Sequence, residues 1–338
     1  IDVIDDEKGA LIYDCYYLNE LRGESNEGLK LAKDVEFRIY KDNMTVNLGT
    51  VTDDVVSIGT TAKDSDTENH ISLADNKVTI IDTVKYKNFT PGKAYRLVGT
   101  LMDKATGEPV TVNGKPVTSE KEFTPKEEDG TVDVTFTFDG SSLSGTDVVV
   151  FEKAYDIETG TEVTKHEDIT DEGQTVSIPK IGTKAEAADS KTNVIKPEKD
   201  QKIVDTVAYE KLIAGEEYEL TTWLTKDGKK IWGTEVTKKF TAKEAEGTVT
   251  AELTFDASMH GGEDITVFEE VSLDHRLVAE HKDKDDKGQT VTVSKPPLDS
   301  PKTGDESSLL IWIAVAAIAA GLGGFITARE VRKRKDRD

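Results

Sequence analysis

The stretch TVDVTFTF at positions 131–138 alternates polar and apolar residues without a break. Successive side chains of a β-strand point to opposite faces, so its four apolar residues are expected to share one buried face. The stretch TVTAELTF at 248–255 repeats this alternation more weakly, and KVTIIDTVKY at 77–86 is rich in β-branched residues. Turn dipeptides separate such stretches at Pro91-Gly92, Thr106-Gly107, Asn113-Gly114 and Asp227-Gly228. Many short strands without a long helical pattern predict an all-β protein built from immunoglobulin-like antiparallel β-sandwiches.

Short motifs recur in the same order in two parts of the chain. They are Ile58-Gly59-Thr60 and Ile181-Gly182-Thr183, Asp82-Thr83-Val84 and Asp205-Thr206-Val207, and Val150-Phe151-Glu152 and Val267-Phe268-Glu269. A fixed order at similar spacing indicates a duplicated structural unit. We therefore predict two tandem domains, a first repeat at 57–179 and a second repeat at 180–296, each long enough for a core of its own.

The end of each repeat carries a further motif, in which KHEDITDEGQTV at 165–176 returns as EHKDKDDKGQTV at 280–291. The two copies hold a histidine, an aspartate and a glutamine in one order: His166, Asp171 and Gln174, then His281, Asp286 and Gln289. A base, a carboxylate partner and an amide together indicate acyl-transfer chemistry on the glutamine itself. Asp168 and Asp283 also recur, and we interpret them as turn residues.

Together these motifs resemble the VaFE repeat, the T-Q ester-bond domain of Gram-positive surface proteins. In that family a threonine on the first strand joins a glutamine on the last strand through an ester bond. Carried over to this sequence, the resemblance implies a cross-link between Thr60 and Gln174 and another between Thr183 and Gln289. Thr61 is set aside because Lys184 takes its place in the second repeat. The recurring residues Thr83 and Thr206 remain the second candidate pair of nucleophiles.

A threonine hydroxyl is a weak nucleophile at neutral pH and needs a base within hydrogen-bond reach. We expect His166 and His281 to accept that proton and later give it to the leaving ammonia. Asp171 and Asp286 would orient the imidazole rings. Glu152 and Glu269 follow a Val-Phe pair, and burial would keep them protonated so that they donate to the developing oxyanion. Because the reaction runs once on the protein's own side chains, we expect no enzyme with turnover.

The C-terminal part, 297–338, has three sections in a fixed order. SPKTG at 300–304 precedes an apolar span at 309–328, which a basic tail follows. The span has the length of a transmembrane helix, and the basic tail predicts a cytoplasmic C-terminus. The order resembles a cell-wall sorting signal, which implies cleavage between Thr303 and Gly304 by a sortase. Ser300 stands where that family has leucine, which leaves the sortase class open.

The resemblance implies a protein of the cell surface, bound covalently to peptidoglycan after a transient membrane stage. Composition agrees, since 66 Asp and Glu stand against 43 Lys and Arg, an acidic balance that excludes nucleic acid as the partner. Cys15 is the only cysteine, so an intrachain disulfide is impossible. We expect no cofactor and no metal, because the Asp-rich loop at 283–286 lacks the spacing of an EF-hand calcium site.

Residues 1–56 are interpreted as the end of an upstream domain, with strands at 35–40 and 44–48. No secretory signal peptide opens the sequence, so translation is expected to start upstream of residue 1. The function that follows is a wall-proximal stalk, which holds an N-terminal region that contacts a host or matrix ligand. The alternative is an adhesin whose repeats bind host or matrix glycoprotein themselves, without ester cross-links, and Trp223, Trp232 and Tyr155 are its candidate aromatic contacts.

Overall fold

The computed structural model describes residues 11–295, apart from 22, 27–28 and 51–53. The predicted membrane span at 309–328 and the predicted sortase site at Thr303 and Gly304 lie outside the described residues. Nothing helical in the described part of the chain has the length and apolar character needed to cross a bilayer. Strands dominate these residues, which confirms the all-β prediction.

Four short strands and one 3-10 turn, Glu24–Asn26, precede the repeats. The strands are β1 (Asp14–Leu18), β2 (Leu29–Lys30), β3 (Val35–Ile39) and β4 (Asp54–Val55). β1 pairs with β3, and β2 pairs with β4. The predicted strand at 35–40 is therefore confirmed, whereas the one at 44–48 is wrong. That segment alternates in burial, but no strand of the described chain pairs with it.

The first repeat consists of two sheets. Its strands are β5 (Ser57–Asp64), β6 (Val78–Lys87), β7 (Tyr95–Asp103), β8 (Thr111–Val112), β9 (Lys115–Pro116), β10 (Thr118–Phe123), β11 (Gly130–Phe138), β12 (Thr146–Asp156), β13 (Glu162–His166) and β14 (Thr175–Ile178). One sheet has the order β11-β6-β5, and the other has the order β10-β7-β12-β13 with β14 also paired to β12. β8 and β9 form a separate hairpin.

The second repeat has the same plan with extra edge strands. Its strands are β15 (Lys180–Ala187), β16 (Val194–Ile195), β17 (Gln201–Glu210), β18 (Glu217–Lys226), β19 (Lys229–Lys230), β20 (Val236–Thr241), β21 (Gly247–Phe255), β22 (Asp264–Leu273), β23 (Arg276–His281) and β24 (Thr290–Val293). One sheet has the order β15-β17-β21, and the larger one is built around β24-β22-β18. The short pair β16–β24 is parallel, so the antiparallel prediction has one exception there.

The inward faces of the two sheets form the core of each repeat. The alternating stretch at 131–138 lies in β11, where Val134, Phe136 and Phe138 are buried and the residues between them are exposed. Leu97 on β7 belongs to the same buried cluster from the opposite sheet. In the second repeat, Leu253 of β21 is buried in the corresponding way. Every second residue of such a strand is buried, and a polar residue at one of these positions needs a hydrogen-bond partner or a chemical role.

Candidate functional site

The predicted residues of the first repeat come from both of its sheets and from the turn before its last strand. Thr60 lies on β5, and Glu152 lies on β12 of the opposite sheet. His166 ends β13 and pairs in register with Glu152. Gln174 closes the 3-10 turn Glu172–Gln174, immediately before β14. Both sheets and the last turn of the repeat therefore contribute to one centre.

The threonine and the glutamine of the first repeat are in direct contact. Gln174 is fully buried, and its Nε2 donates a hydrogen bond to Oγ1 of Thr60, 114 residues earlier. The other amide atom, Gln174 Oε1, is buried and has no hydrogen-bond partner among the described residues. A buried carbonyl oxygen without a donor is costly in a folded protein. Such an oxygen is also free to receive a donor when charge develops on it.

Two buried carboxyl groups lie beside this contact. Asp82 on β6 and Glu152 are both fully buried, and none of their four carboxyl oxygens has a hydrogen-bond partner within the described chain. Burial, and next the charge of Asp82, raises the pKa of Glu152 to about 9. Burial raises the pKa of Asp82 to about 7, while the Thr60 hydroxyl acts in the opposite direction. At neutral pH Glu152 therefore keeps its proton, whereas Asp82 is close to the midpoint of its titration and is ionised in part of the molecules.

The sequence makes room for Glu152 with a glycine. Gly99 lies opposite Glu152 where β7 pairs with β12. A Cβ added at Gly99 would overlap Oε1 of Glu152 and the ring of Phe136. The position therefore excludes any side chain while these two groups occupy the space above it.

The histidine and the second aspartate form an ion-pair contact at the edge of the site. His166 Nε2 lies 2.9 Å from Oδ2 of Asp171. Oδ1 of Asp171 accepts a hydrogen bond of 2.7 Å from the backbone N–H of Gly173, which caps the turn that presents Gln174. No hydrogen bond within the described residues joins His166 to Thr60 or Gln174. The positive charge of His166 instead lowers the pKa of Asp82.

The second repeat assembles the same residue types with different hydrogen bonds. Thr183 Oγ1 donates to Oε1 of Glu269 at 3.3 Å, and Gln289 Nε2 donates to Oε2 of the same carboxyl group at 2.5 Å. Glu269 and Gln289 are fully buried. Glu269 therefore bridges the threonine and the glutamine, which in the first repeat touch each other directly.

The second carboxyl pair is also asymmetric. Burial, followed by the charge of Asp205, raises the pKa of Glu269 to about 10, whereas burial raises the pKa of Asp205 to about 6. Thr222 Oγ1 donates a long hydrogen bond of 3.4 Å to Oδ2 of Asp205. His281 Nε2 lies 3.0 Å from Oδ2 of Asp286, in the same arrangement as the first histidine. At neutral pH Glu269 therefore keeps its proton and Asp205 is mostly ionised.

Both repeats match the same protein family. The T-Q ester bond containing domain matches residues 56–178 and again 179–293. This chain belongs to that family. No curated protein matches the chain.

Solved structures resemble these T-Q ester bond domains only distantly. A bacterial adhesin from Mobiluncus mulieris, described as containing intramolecular disulfide, isopeptide and ester bond cross-links, is 15% identical with a TM-score of 0.30. The match covers 63% of this chain and 80% of that one. Red sea bream transglutaminase is 12% identical, with a TM-score of 0.25 and coverage of 71% and 31%. At these TM-scores the likenesses carry no argument about function.

The structure of these T-Q ester bond domains separates the candidate threonines. The Thr60 hydroxyl contacts Gln174 and acts on the buried Asp82, and the Thr183 hydroxyl donates to the buried Glu269. Thr83, from the second candidate pair, instead donates to Oδ1 of Asp133 at 2.8 Å on an exposed face. Thr206 follows the buried Asp205 and so points to the opposite side of β17. The geometry thus favours the pair that opens each repeat.

Sequence reasoning missed the aspartates of the two carboxyl pairs. Asp82 and Asp205 were noted only as parts of a recurring strand motif. A signal for them exists, because Asp82 lies between Ile80 and Val84 on the inward face of an alternating strand. A carboxyl group at a core position needs a partner or a chemical role. Nowhere in the described part of the chain do three or more His, Cys, Asp or Glu residues form a group able to hold a metal ion.

Proposed function

We propose that each repeat closes its own Thr–Gln ester bond and that the two repeats form the stalk of a cell-surface, adhesin-like protein. The contact of Gln174 Nε2 with Thr60 Oγ1, beside two buried carboxyl groups with raised pKa values, carries this proposal. Membership of the T-Q ester bond domain family supports it.

The first step is a proton transfer and an attack. The singly protonated pair of Asp82 and Glu152 accepts the proton of the Thr60 hydroxyl, and Oγ1 forms a bond to Cδ of Gln174. The carbonyl π electrons move to Oε1 of Gln174, which becomes an oxyanion. This oxygen has no other donor among the described residues, so a hydrogen bond from Glu152 would stabilise the new charge when it is needed.

The second step releases ammonia. The tetrahedral carbon re-forms its C=O bond, and the bond from Cδ to the amide nitrogen breaks. The nitrogen leaves with a proton from the doubly protonated pair, which returns to its singly protonated state. One hydroxyl and one amide become one ester and one ammonia, and no external acid, base or cofactor is consumed. The carboxyl pair thus acts first as base and then as acid, for which a pKa near the working pH is best suited.

The histidine and its aspartate have an electrostatic role in this proposal. His166 paired with Asp171 favours the ionised form of Asp82 without touching the reacting atoms. The direct base role of the two histidines stays a prediction, while the action of the Thr60 hydroxyl on Asp82 and the hydrogen bond from Thr183 to Glu269 favour the carboxyl pair. The reaction consumes its own side chains, so each centre works once and is not an enzyme with turnover.

The proposed ester has a mechanical consequence. It would tie β5 to the last turn of the repeat, 114 residues later, and so close almost the whole domain into a loop. In the chain-entropy model, a cross-link over a loop of this length destabilises the unfolded state by about 4–5 kcal/mol. Tension that enters at one end of the domain would leave at the other through a covalent bond. A stalk exposed to shear and proteases benefits from that path.

Attachment to the wall is the finer part of the proposal. SPKTG at 300–304, the apolar span at 309–328 and the basic tail support cleavage by a sortase between Thr303 and Gly304 and transfer to peptidoglycan. Incubation of the chain with purified sortases and a peptidoglycan amine tests this. Transfer that Thr303→Ala abolishes would support the proposal, and failure with sortases of every class would contradict it.

Peptide mapping tests the ester itself. Protease digestion of the folded chain under acidic conditions would release a branched peptide that contains Thr60 and Gln174, and a second one with Thr183 and Gln289. Brief alkaline hydrolysis would split each branched peptide into two linear ones, because esters hydrolyse far more readily than amides. Linear peptides alone, with intact glutamine amides, would contradict the proposal.

A second candidate function is ligand binding by the outer surface of the second repeat. Trp232 is 86% exposed, and Nζ of Lys230 lies 6.0 Å from the centre of its ring. The other aromatic candidates are less available, since Trp223 is buried and Tyr155 is half-buried beneath Arg96. Binding to immobilised host or matrix glycoprotein that Trp232→Ala abolishes would favour this function.

A further inference from the structure

The two reaction centres differ at one buried position. Glu152 of the first repeat lies opposite Gly99, whereas Glu269 of the second repeat lies opposite Thr222. Thr222 is fully buried, so water does not reach its hydroxyl. A buried hydroxyl at a position where the sister domain tolerates no side chain calls for a specific explanation.

A second exchange makes the first one possible. Phe136 pairs with Ile80, two residues before Asp82, and Leu253 pairs with Ile203, two residues before Asp205. The phenylalanine ring fills the space above Gly99 in the first repeat. In the second repeat the smaller Leu253 and the larger Thr222 stand at the two corresponding positions. Glycine with phenylalanine thus corresponds to threonine with leucine, so one side chain is larger and the other smaller than its counterpart.

The hydroxyl changes the partners of the catalytic aspartate. Thr222 Oγ1 donates to Oδ2 of Asp205 at 3.4 Å. The hydroxyl that acts on Asp82 is that of Thr60, the reacting residue itself. A donor aimed at a carboxylate favours the ionised form of that group. The second repeat therefore has, in Thr222, a hydroxyl for its aspartate that the reaction does not consume, and the first repeat has glycine at that position.

We propose that Thr222 is a positioning residue of the second reaction centre, where its hydroxyl holds Asp205 as the ionised member of the carboxyl pair. This inference rests on the proposed function, because it assumes that the singly protonated pair accepts the threonine proton. As pH falls, the first pair becomes doubly protonated and loses its ability to act as base before the second pair does. The second repeat thus forms its ester over a wider acidic range than the first.

The groups around Asp205 agree with this assignment. Glu269 on β22 and His281 at the end of β23 are the charged or titratable groups that face it. The residues paired with Asp205 in the neighbouring strands are Ala185 and Ala251, which carry no charge. Burial raises the pKa of Asp205, and the Thr222 hydroxyl acts in the opposite direction.

The test follows ester formation in both repeats of the same molecule. The full chain is recovered unfolded from inclusion bodies in denaturant and diluted into refolding buffer near pH 6 and near pH 8. Samples taken over time are quenched with acid and digested, and the branched and linear peptides of each repeat are counted by mass spectrometry. The first repeat serves as an internal control for refolding.

We compare the parent chain with Thr222→Val, which keeps the shape and removes the hydroxyl, and with Thr222→Ser, which restores a hydroxyl. Thr225→Val is the matched control, because Thr225 is buried on the same strand and donates to the backbone carbonyl of Thr266 at 3.0 Å. Loss of a hydrogen bond to a charged group is expected to slow the second repeat about tenfold near pH 6. The effect near pH 8 should be smaller, and Thr222→Ser should recover the parent rate.

The outcomes separate this inference from the function on which it rests. An unchanged pH profile in Thr222→Val, or equal slowing in Thr225→Val, would overturn the role of Thr222 and leave the ester intact. Absence of branched peptide from both repeats of the parent would overturn the proposed function and this inference with it. If Thr222→Val fails to fold, the double change Gly99→Thr with Phe136→Leu transfers the arrangement to the first repeat. Its ester formation near pH 6 should then accelerate, and no acceleration would contradict the role.

Discussion

Both ring nitrogens of His281 face hydrogen-bond acceptors: Nε2 lies 3.0 Å from Oδ2 of Asp286, and Nδ1 lies 3.3 Å from the carbonyl oxygen of Ile181. These two contacts hold the ring between the turn that carries Asp286 and the strand that carries Thr183. No hydrogen bond within the described residues joins the ring to the Thr183 hydroxyl, which donates to Glu269 instead. The positive charge of His281 favours the ionised form of Asp205.

Removal of this charge is the first prediction. His281→Ala should slow ester formation in the second repeat, because a rise of about one unit in the pKa of Asp205 would lower its ionised fraction about fivefold near pH 6 and about twofold near pH 7. His275→Ala is the control, since His275 is exposed and its Nδ1 lies 3.2 Å from Oε2 of Glu219 on the surface of the same repeat. Refolding followed by peptide mapping gives the rates. Equal rates for both variants would contradict an electrostatic role for His281.

The space above Gly99 gives the second prediction. Gly99→Ala should destabilise the first repeat by about 1–3 kcal/mol, the usual cost of overpacking, because the new Cβ overlaps Glu152 and Phe136. Gly59→Ala is the control, since a Cβ at Gly59 meets no atom within 4 Å. Urea unfolding in a Thr60→Ala background measures the fold without the cross-link. Equal stability of the two variants would show that the space above Gly99 is not limiting.

The buried carboxyl pair predicts how stability depends on pH before the ester forms. The pKa of Glu152 rises from its ordinary value of 4.5 to about 9 in the folded state, so the folded chain binds this proton more tightly than the unfolded chain. The contribution of Glu152 to the free energy of unfolding is therefore greatest below about pH 4.5. This contribution is lost as the pH rises from 4.5 towards 9. In a Thr60→Ala background, Glu152→Gln should flatten the part of this fall that lies between pH 7 and 9, because the raised pKa of Asp82 still produces a fall up to about 7. Glu120→Gln, at an exposed position, should leave the whole fall unchanged. A fall between pH 7 and 9 that persists in Glu152→Gln would contradict the buried charge.

The cross-link itself predicts a stability that reducing agents do not change. Thr60→Ala should lower the free energy of unfolding of the first repeat by about 4–5 kcal/mol, because the unfolded chain regains the entropy of an open loop. Thr60→Ser keeps a hydroxyl and should retain most of the stabilisation. A thiol reductant should have no effect, since Cys15 is the only cysteine and it is free. Urea titrations of the three chains, with and without reductant, give these values.

Much of the fold follows from the sequence because its strands bury every second residue. The alternation at 131–138 corresponds to β11 within one residue. The segment at 44–48 alternates as well, but a strand also needs a neighbour to accept its hydrogen bonds, and such a neighbour is a property of the tertiary structure. Local pattern therefore identifies strands in a sandwich better than those in an isolated segment.

The candidate site was predictable to the extent that its residues recur in order. That order identified Thr60, Gln174 and Glu152, and the structure brings all three into one buried centre. The order did not identify the role of Asp82, because the motif that contains it is also explained by its position in the strand β6. The different hydrogen bonds of the second centre were beyond the sequence too, since they depend on which side chains share the core space beside Thr222.

Intact mass is the most direct test of the central claim that each repeat closes a Thr–Gln ester. The refolded parent chain should be lighter than its sequence mass by two ammonia molecules. The single variants Thr60→Ala and Thr183→Ala should each be lighter than their sequence mass by only one ammonia molecule. The double variant should have its full sequence mass. A parent chain at its full sequence mass, with both glutamine amides intact, would contradict the claim.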